Sequence, residues 1–551
     1  MPAFSKSSHH PPQGGRFARR WTQYRGLYFD DSVMESAWLR DRAEIHLPSL
    51  DGVTHLRLEG CSTPAASGTN DSPPPGLLVR VDGREVARLN PRPGPWNLEF
   101  SLPAAAGPEG IRIELVLLGV GWTNTLAWLG RITGLAPLQS YRGQPKNRRL
   151  RLLRLSTTGG QIIYDFSNRH SPFSTAFARS HLRLGVNVAG FLTADLGVGE
   201  SARCMVRAAD AAALPVSLID LKLPCKNQRS DPSFADRLGS DAPHGISIFH
   251  LDPPAARDID HHHGRALRAG RYNIGYWAWE LPEFPDSWLS SFDYFDEIWC
   301  PSDFTRESIG LKSPLPVVTM PHAIAFARPT AGVDALRARL GLPVGVFLFL
   351  VLYDLNSYSE RKNPRAAIEA FRRSGLHQGG ARLVVKVHSV PGNEEDLAGL
   401  RAALSDLPGT VVVTETLSRV DLTALQAACD CFVSLHRAEG FGLAVAECMY
   451  LGKPVITTDW SATREFADGD CALPVPARLV TLERSHGPYA RGQQWADPCV
   501  DAAADQMRRV AGDAGLRQRL GAAAQRRVED RLAPAVIGAR YRRRLEAIAM
   551  F

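Results

Sequence analysis

The chain reads as an α/β protein: two tandem doubly wound domains with parallel sheets, preceded by an all-β sandwich. Three observations carry this expectation. Residues 25–138 hold short runs of alternating apolar residues, broken by Pro and Gly clusters. From Leu184 the rhythm changes to strand–helix alternation. A second alternating set starts near Val346. Apolar runs that need cover on both faces, joined by helices, belong to parallel sheets. Two such domains leave a cleft between the carboxyl ends of their strands, where ligands bind.

The elements follow in order. Residues 1–24 read as a disordered tail and 25–140 as the sandwich, with strands at His55–Gly60, Leu77–Val81, Arg84–Leu89, Trp96–Pro103 and Ile111–Gly119. Asp82-Gly83 between two of them is a two-residue hairpin signal. Residues 141–183 read as a basic linker. The first doubly wound domain spans 184–330, with strands at Gly185–Phe191, Val216–Leu221, Ile246–Leu251, Tyr272–Trp279, Glu297–Cys300 and Val317–Met320, and a helix from Glu200 to Ala213. The second spans 331–530, with strands at Val346–Asp354, Arg382–His388, Thr410–Thr416, Cys431–His436 and Pro454–Thr458, and helices such as Pro364–Ser374 and Asp421–Cys429. A C-terminal helix, 531–551, follows a break near Pro534.

Composition sets limits. With 44% hydrophobic and 22% charged residues among 551, the chain has the apolar surface to build cores. The longest apolar run, Val344 to Tyr353, is far short of the ~20 residues a bilayer span needs. The N-terminus lacks the apolar stretch of a signal peptide, and nine scattered cysteines form no CxxC pair. Reduced thiols and a cytoplasmic address are the expectation. Nine Lys/Arg stand against one acid between Arg142 and Arg183, while the rest is near neutral, which argues against a nucleic-acid-binding face. That basic run reads as a solvated linker. The sharper alternative is peripheral contact with an anionic membrane, with Leu150, Leu152, Leu153 and Leu155 between the arginines.

The stretch Ser434-Leu-His-Arg-Ala-Glu-Gly-Phe-Gly-Leu-Ala-Val-Ala-Glu447 carries the most chemistry. It follows a buried strand, and Gly440 and Gly442 permit close backbone approach. A helix from Leu443 to Leu451 stops at Gly452-Lys453-Pro454, and the free amides at its start suit a phosphate. Glu439 and Glu447 beside such a site would hold hydroxyls of a ribose or a sugar. On spacing alone, a glycine turn with a capping acid remains open.

Glu439 and Glu447, the flanking Glu-Gly-Phe-Gly-Leu and the run Gly452-Lys-Pro-Val-Ile-Thr457 resemble the E-x7-E signature of retaining glycosyltransferases of family 4, over residues 184–551. The resemblance implies a GT-B fold, an acceptor lobe at 184–330 and a donor lobe at 331–530. It implies that Glu447 holds the donor ribose, Glu439 faces the donor sugar, and the amides of Gly440, Phe441, Gly442 and Leu443 hold the diphosphate. The basic pair Arg361-Lys362 resembles the site of the family's phosphate-binding lysine, which would be Lys362, a fixed cation for the leaving group. The region after the first strand, where many members carry another basic residue, holds Asp354 and Asn356.

In the first lobe, Gly197, Gly199 and Glu200 occupy the turn where the family has a loop near donor phosphate and acceptor. A Gly-x-Gly pair has little specificity of its own, and Glu200 also suits a first-turn helix acid. Gly275-Tyr-Trp-Ala-Trp-Glu-Leu-Pro282 resembles a bacterial subgroup with a Trp-Glu-Leu signature. Trp277 and Trp279 could stack on a sugar or form a buried pair, and Glu280 stands in the region of the family's catalytic histidine. His250 reads as a sugar contact or a satisfied core histidine. His261-His262-His263 and the Cys429/Cys431 pair lack partners at metal-ligand spacing.

The resemblance implies a metal-independent enzyme without cofactor, with Glu439, Lys362 and Glu280 as catalytic residues. It would move a sugar, with retention, from a nucleotide-sugar donor to a saccharide or glycolipid acceptor in bacterial surface polysaccharide or lipopolysaccharide assembly, in the cytoplasm or on the inner face of the membrane. A non-catalytic saccharide-binding protein on the same scaffold and a GT-B nucleotide-sugar epimerase are the alternatives.

Overall fold

Asp82 and Gly83 both take positive φ, 50° and 82°. That is the conformation a two-residue hairpin between right-twisted strands requires. The computed structural model that shows this describes residues 24–28, 36–47, 50, 52–62, 74–103, 111–118, 150–167, 174, 177, 183–264, 267–268, 271–329 and 332–550. Residues 1–23 of the expected tail and the basic residues Arg142–Arg149 lie outside them, while Tyr24 already belongs to the first strand.

The N-terminal region is antiparallel throughout: β1 (Tyr24–Tyr28), β2 (Ala37–Leu47), β3 (His55–Ser62), β4 (Gly76–Val81), β5 (Arg84–Leu89), β6 (Gly94–Ser101), β7 (Ile111–Leu118), β8 (Leu150–Thr157) and β9 (Ile162–Asp165). The expectation here is a sandwich. Instead all nine strands share one hydrogen-bonded sheet, because β2 pairs with β7 through its second half and with β8 through its first. Inward residues from both halves, such as Leu58, Val79 and Leu115, meet in one buried cluster.

The linker expectation needs correction, since β8 and β9 belong to this sheet. Leu150, Leu152 and Leu155 are buried in its core and face no lipid. Arg154 stays outside, 3.7 Å from Asp165. The alternation in this stretch is that of a half-buried strand, with arginines on the outer face.

The first doubly wound lobe runs β10 (Arg183–Gly190), α1 (Gly197–Ala211), β11 (Val216–Asp220), β12 (His244–His250), α2 (Ile259–His263), β13 (Tyr272–Tyr276), β14 (Glu297–Cys300), α3 (Asp303–Gly310) and β15 (Val317–Thr319). Its strands are all parallel, in the order β11-β10-β12-β13-β14-β15. β13 ends at Tyr276, so Trp277 and Trp279 lie in the loop after it.

The second lobe runs α4 (Val333–Arg339), β16 (Leu348–Asp354), α5 (Ser359–Lys362), α6 (Pro364–Ser374), β17 (Arg382–His388), α7 (Glu394–Ala403), β18 (Val411–Val413), α8 (Arg419–Ala428), β19 (Cys431–Ser434), α9 (Leu443–Tyr450), β20 (Val455–Thr458) and β21 (Leu473–Val475). The parallel order is β18-β17-β16-β19-β20-β21. A hairpin, β22 (Ala477–Thr481) and β23 (Gln494–Pro498), follows, then α10 (Val500–Gly512), α11 (Ala514–Leu532) and α12 (Pro534–Met550). Pro534 breaks α11 from α12 as expected.

α12 returns to the first lobe. Tyr541 stacks on Trp299 at 5.4 Å, and Arg544 donates to the buried Glu297. The two lobes share one apolar cluster that includes Tyr276, Trp299, Phe441 and Tyr541. This is a GT-B architecture, with the ends of both parallel sheets facing a cleft.

Candidate functional site

The strand order of the second sheet reverses between β16 and β19. Loops that leave neighbouring strands in opposite directions open a crevice there. The loop after β16 carries Arg361 and Lys362, and the loop after β19 carries Glu439. α5 has one turn, entered through Tyr358 at φ 63° and left through Asn363 at φ 52°. Asn363 Nδ2 donates to Leu435 O at 3.0 Å and so ties the two loops together.

Lys362 Nζ donates to Glu439 Oε1 at 2.5 Å. Arg361 Nη1 lies 3.4 Å from Glu439 Oε2, and its Nη2 lies 3.7 Å from Glu280 Oε1 of the other lobe. Burial alone would raise the Glu439 carboxyl, but the charges of Lys362 and Arg361 hold it down at about 2. Burial, helped by Arg361, lowers the Lys362 ammonium against the pull of Glu439. Burial would lower the Arg361 guanidinium as well, but the groups around it, Glu280 and Glu439 among them, raise it. Two cations and two carboxylates therefore neutralise one another in the cleft. Arg361 Nε is buried without a partner.

Glu447, in the second turn of α9, forms a second group. Its Oε1 accepts from Arg419 at 2.5 Å and its Oε2 from Gln426 Nε2 at 2.9 Å. Arg419 also reaches Glu200 of α1 at 3.7 Å, across the lobes. Glu200 is buried and bonded to Arg203 (2.8 Å) and Arg207. Burial would raise its carboxyl, but the charges of Arg207, Arg419 and Arg203 hold it well below the usual range. Glu200 thus works as an ion-pair hub of α1.

The glycines divide. Gly442 has φ 95°, and a Cβ there would meet Thr463 Cγ2 at 2.6 Å, so the turn into α9 requires glycine. α9 then starts at Leu443 without a side-chain cap. Gly440 serves lobe contact: its carbonyl accepts from Ser302 Oγ at 2.7 Å and Thr305 Oγ1 at 3.3 Å. Phe441 is buried, edge-on to His322 at 4.7 Å. Gly197 is exposed at the start of α1, and Gly199 is buried against the carbonyls of Phe191 and Ala194.

Three residues that the sequence left open between a sugar contact and the core lie in the core. His250 is buried, its Nδ1 on Ser201 Oγ at 2.8 Å and its ring stacked on Tyr276 at 4.4 Å, so it is a core histidine. Trp277 and Trp279 are buried among Phe284, Phe292 and Trp288, and present no face to a sugar. Sugar stacking needs an open ring, and the aromatic cluster already covers these.

Asp354 and Asn356, where the family has a further basic residue, join a polar network. Asn227 of the first lobe donates to Ser389 Oγ at 3.1 Å, and Asn393 donates to Asn356 Oδ1 at 2.9 Å. Lys386 at the end of β17 is buried, and burial lowers its ammonium to about 8.

Four residues of the region escaped the sequence reading: Arg419, Gln426, His322 and Tyr489. None has a local signal. Arg419 is an ordinary first-turn residue behind a Ser418 cap, and Tyr489 lies in the loop between β22 and β23. Among the described residues no group of three or more His, Cys, Asp or Glu could hold a metal ion. Among them, too, no helix is long and apolar enough to cross a membrane.

Residues 337–470 match the family model of glycosyl transferases group 1. No curated protein matches the chain. Solved structures with a similar course include HepE (Alr3699) of Anabaena in complex with UDP and glucose, with 12% identity over 66% of this chain and 100% of that one at TM-score 0.48. Sucrose-phosphate synthase of Thermosynechococcus elongatus has 16% identity over 66% and 100% at TM-score 0.48. A glycosyltransferase of Rickettsia africae has 11% identity over 66% and 97% at TM-score 0.48. The segment of the second lobe that matches the glycosyl transferases group 1 model holds Arg361, Lys362, Glu439 and Glu447.

Proposed function

We propose that the chain is a retaining, metal-independent glycosyltransferase that moves a sugar from a nucleotide-sugar donor to a saccharide or glycolipid acceptor. One observation carries this reading: Arg361, Lys362 and Glu439 converge at the switch point of the second sheet, inside the segment that matches the family model.

Each group has a task. The diphosphate of the donor would take over the charges of Arg361 and Lys362, which now rest on Glu439 and Glu280. As the glycosidic bond breaks, negative charge builds on the leaving phosphate, and prealigned cations in a water-poor cleft stabilise it. The uncapped start of α9 adds backbone amides. Glu447 would take ribose hydroxyls, and Glu439, released from Lys362, would face the sugar. Attack from the face that the diphosphate leaves gives retention, with the leaving phosphate accepting the acceptor's proton. No protein nucleophile is then required. We place the reaction in bacterial surface polysaccharide or lipopolysaccharide assembly, on the cytoplasmic side, as the Trp-Glu-Leu subgroup implies.

The test is release of nucleoside diphosphate from a panel of nucleotide sugars, with and without saccharide acceptors, and the anomeric configuration of the product by NMR. Product with the donor's configuration supports the reading. Nucleotide binding without turnover on any acceptor favours the binding-protein alternative, and an inverted product removes the retaining mechanism.

A further inference from the structure

The hairpin β22–β23 lies beyond residue 470, where the family match ends. It belongs to the second lobe by sequence but packs on the first. Leu482, Tyr489 and Trp495 are buried in the same cluster as Trp277, Trp279, Leu281 and Phe284. Gln493 Nε2 donates to Glu283 O at 3.0 Å. On the other side, Ala496 N donates to Arg437 O at 2.9 Å, two residues before Glu439. Gly487, at φ 56°, lies so close to Tyr358 that a Cβ there would sit 2.0 Å from the phenol oxygen. The hairpin is therefore clamped between both lobes.

Its tip delivers Tyr489 to the charged group. The phenol donates to Glu280 Oε2 at 3.1 Å, and the ring lies 5.8 Å from the Arg361 guanidinium. Burial, with the Glu280 charge beside it, pushes the phenol well above its ordinary range, so it stays a proton donor. Glu280 Oε1 faces Arg361, and Arg361 reaches on to Glu439. Glu280 and Tyr489 thus sit on the Glu439 side of the cleft, while Glu447 answers to Arg419 and Gln426.

We infer that Tyr489 is a positioning residue that fixes the Glu280 carboxylate at the sugar end of the cleft and thereby sets recognition of the donor's sugar. The inference rests on the reading of the cleft as a nucleotide-sugar site. When a diphosphate draws Arg361 away, Glu280 loses its cation, and the Tyr489 hydroxyl still orients it. A carboxylate held by one donor keeps lone pairs for sugar hydroxyls. The occupant of this end is a hydroxyl-bearing glycosyl group.

The experiment measures dissociation constants of UDP, GDP, UDP-glucose, UDP-N-acetylglucosamine and GDP-mannose by calorimetry on the full chain, wild type against Tyr489→Phe. With any sugar nucleotide that the wild type binds, Tyr489→Phe is expected to weaken the sugar nucleotide about tenfold, the scale of a hydrogen bond to a charged group. The matching nucleoside diphosphate should stay within about twofold. Glu280→Gln should likewise lower sugar-nucleotide affinity relative to the matching nucleoside diphosphate about tenfold, the diphosphate itself binding no more weakly because a competitor for Arg361 is gone; this covers the case of a Tyr489→Phe chain that does not fold. Equal loss for nucleotide and sugar nucleotide would show a hairpin that only supports the fold, and no loss for either would also overturn the assignment. Absence of binding by the wild type to every probe strikes the functional reading itself, before any variant is made, and the inference falls with it.

Discussion

Arg361 and Glu280 face each other across the cleft at 3.7 Å, a guanidinium from the second lobe and a carboxylate from the first. Each has another partner in place, Glu439 for the arginine and Tyr489 for the acid. A ligand that brings phosphate charge between the lobes would enter a region already charge-balanced. It must compete with carboxylates for both cations, so binding exchanges one set of ion pairs for another.

Glu447→Gln should weaken nucleotide binding by about 1.5–3 kcal/mol, the range for hydrogen bonds to a charged group. The single amide oxygen can accept from Gln426, the bond from Arg419 is lost, and Arg419 keeps Glu200 within 3.7 Å, so the fold should survive. Unchanged nucleotide affinity by calorimetry, in a variant with wild-type circular dichroism, would remove the ribose role.

Lys362→Ala should lower turnover at saturating donor by about 10²-fold, the scale of one prealigned electrostatic contact. Arg361 still neutralises Glu439 at 3.4 Å, which should limit the loss of stability. Normal turnover would mean that Lys362 serves only as an ion-pair partner.

Stability should fall with acid in two stages. His436 and His322 are buried, and burial lowers them to about 4 and about 3. Their folded values lie below the unfolded ~6.5, so between these limits the unfolded chain binds more protons. Stability from them is complete above pH ~6.5 and declines below it, by up to about 1.4 kcal/mol per pH unit for each histidine. The carboxylates add a second decline below pH ~4.5, as Glu439 is held down at about 2. Melting temperatures from pH 7.5 to 5 should show the first stage, and His436→Asn should flatten it.

A chain that starts at Arg183 should remain folded and still bind nucleotide. The N-terminal sheet has its own buried cluster, and every donor residue named lies beyond it. The cut must fall after β9, because Leu150, Leu152 and Leu155 belong to that cluster. Loss of nucleotide binding in a soluble truncated chain would show that the sheet contributes to the cleft.

Chelation should leave activity unchanged, since Arg361, Lys362 and the start of α9 are proposed to meet the phosphate charge. Loss with EDTA and recovery with magnesium or manganese would contradict this.

What the sequence determined by itself is what short-range physics decides. The Asp82-Gly83 turn, the parallel strands of both lobes, helix Pro364–Ser374 and the break at Pro534 were legible, because turn dihedrals and apolar periodicity act over a few residues. So was the placement of Glu439 on a loop and Glu447 on the helix that follows it. The tertiary structure decided which side chains were free to act. His250, Trp277 and Trp279 could face a sugar or the core and are consumed by the core, and strand β8 looked like a linker because arginines lie between its buried leucines. Arg419, Tyr489 and Glu280 meet their partners only where two lobes and a hairpin come together. Periodicity reports that a residue faces inward or outward, and says nothing of which distant charge it will face; that is settled by packing, where a buried charge must find a partner or give up its ionisation.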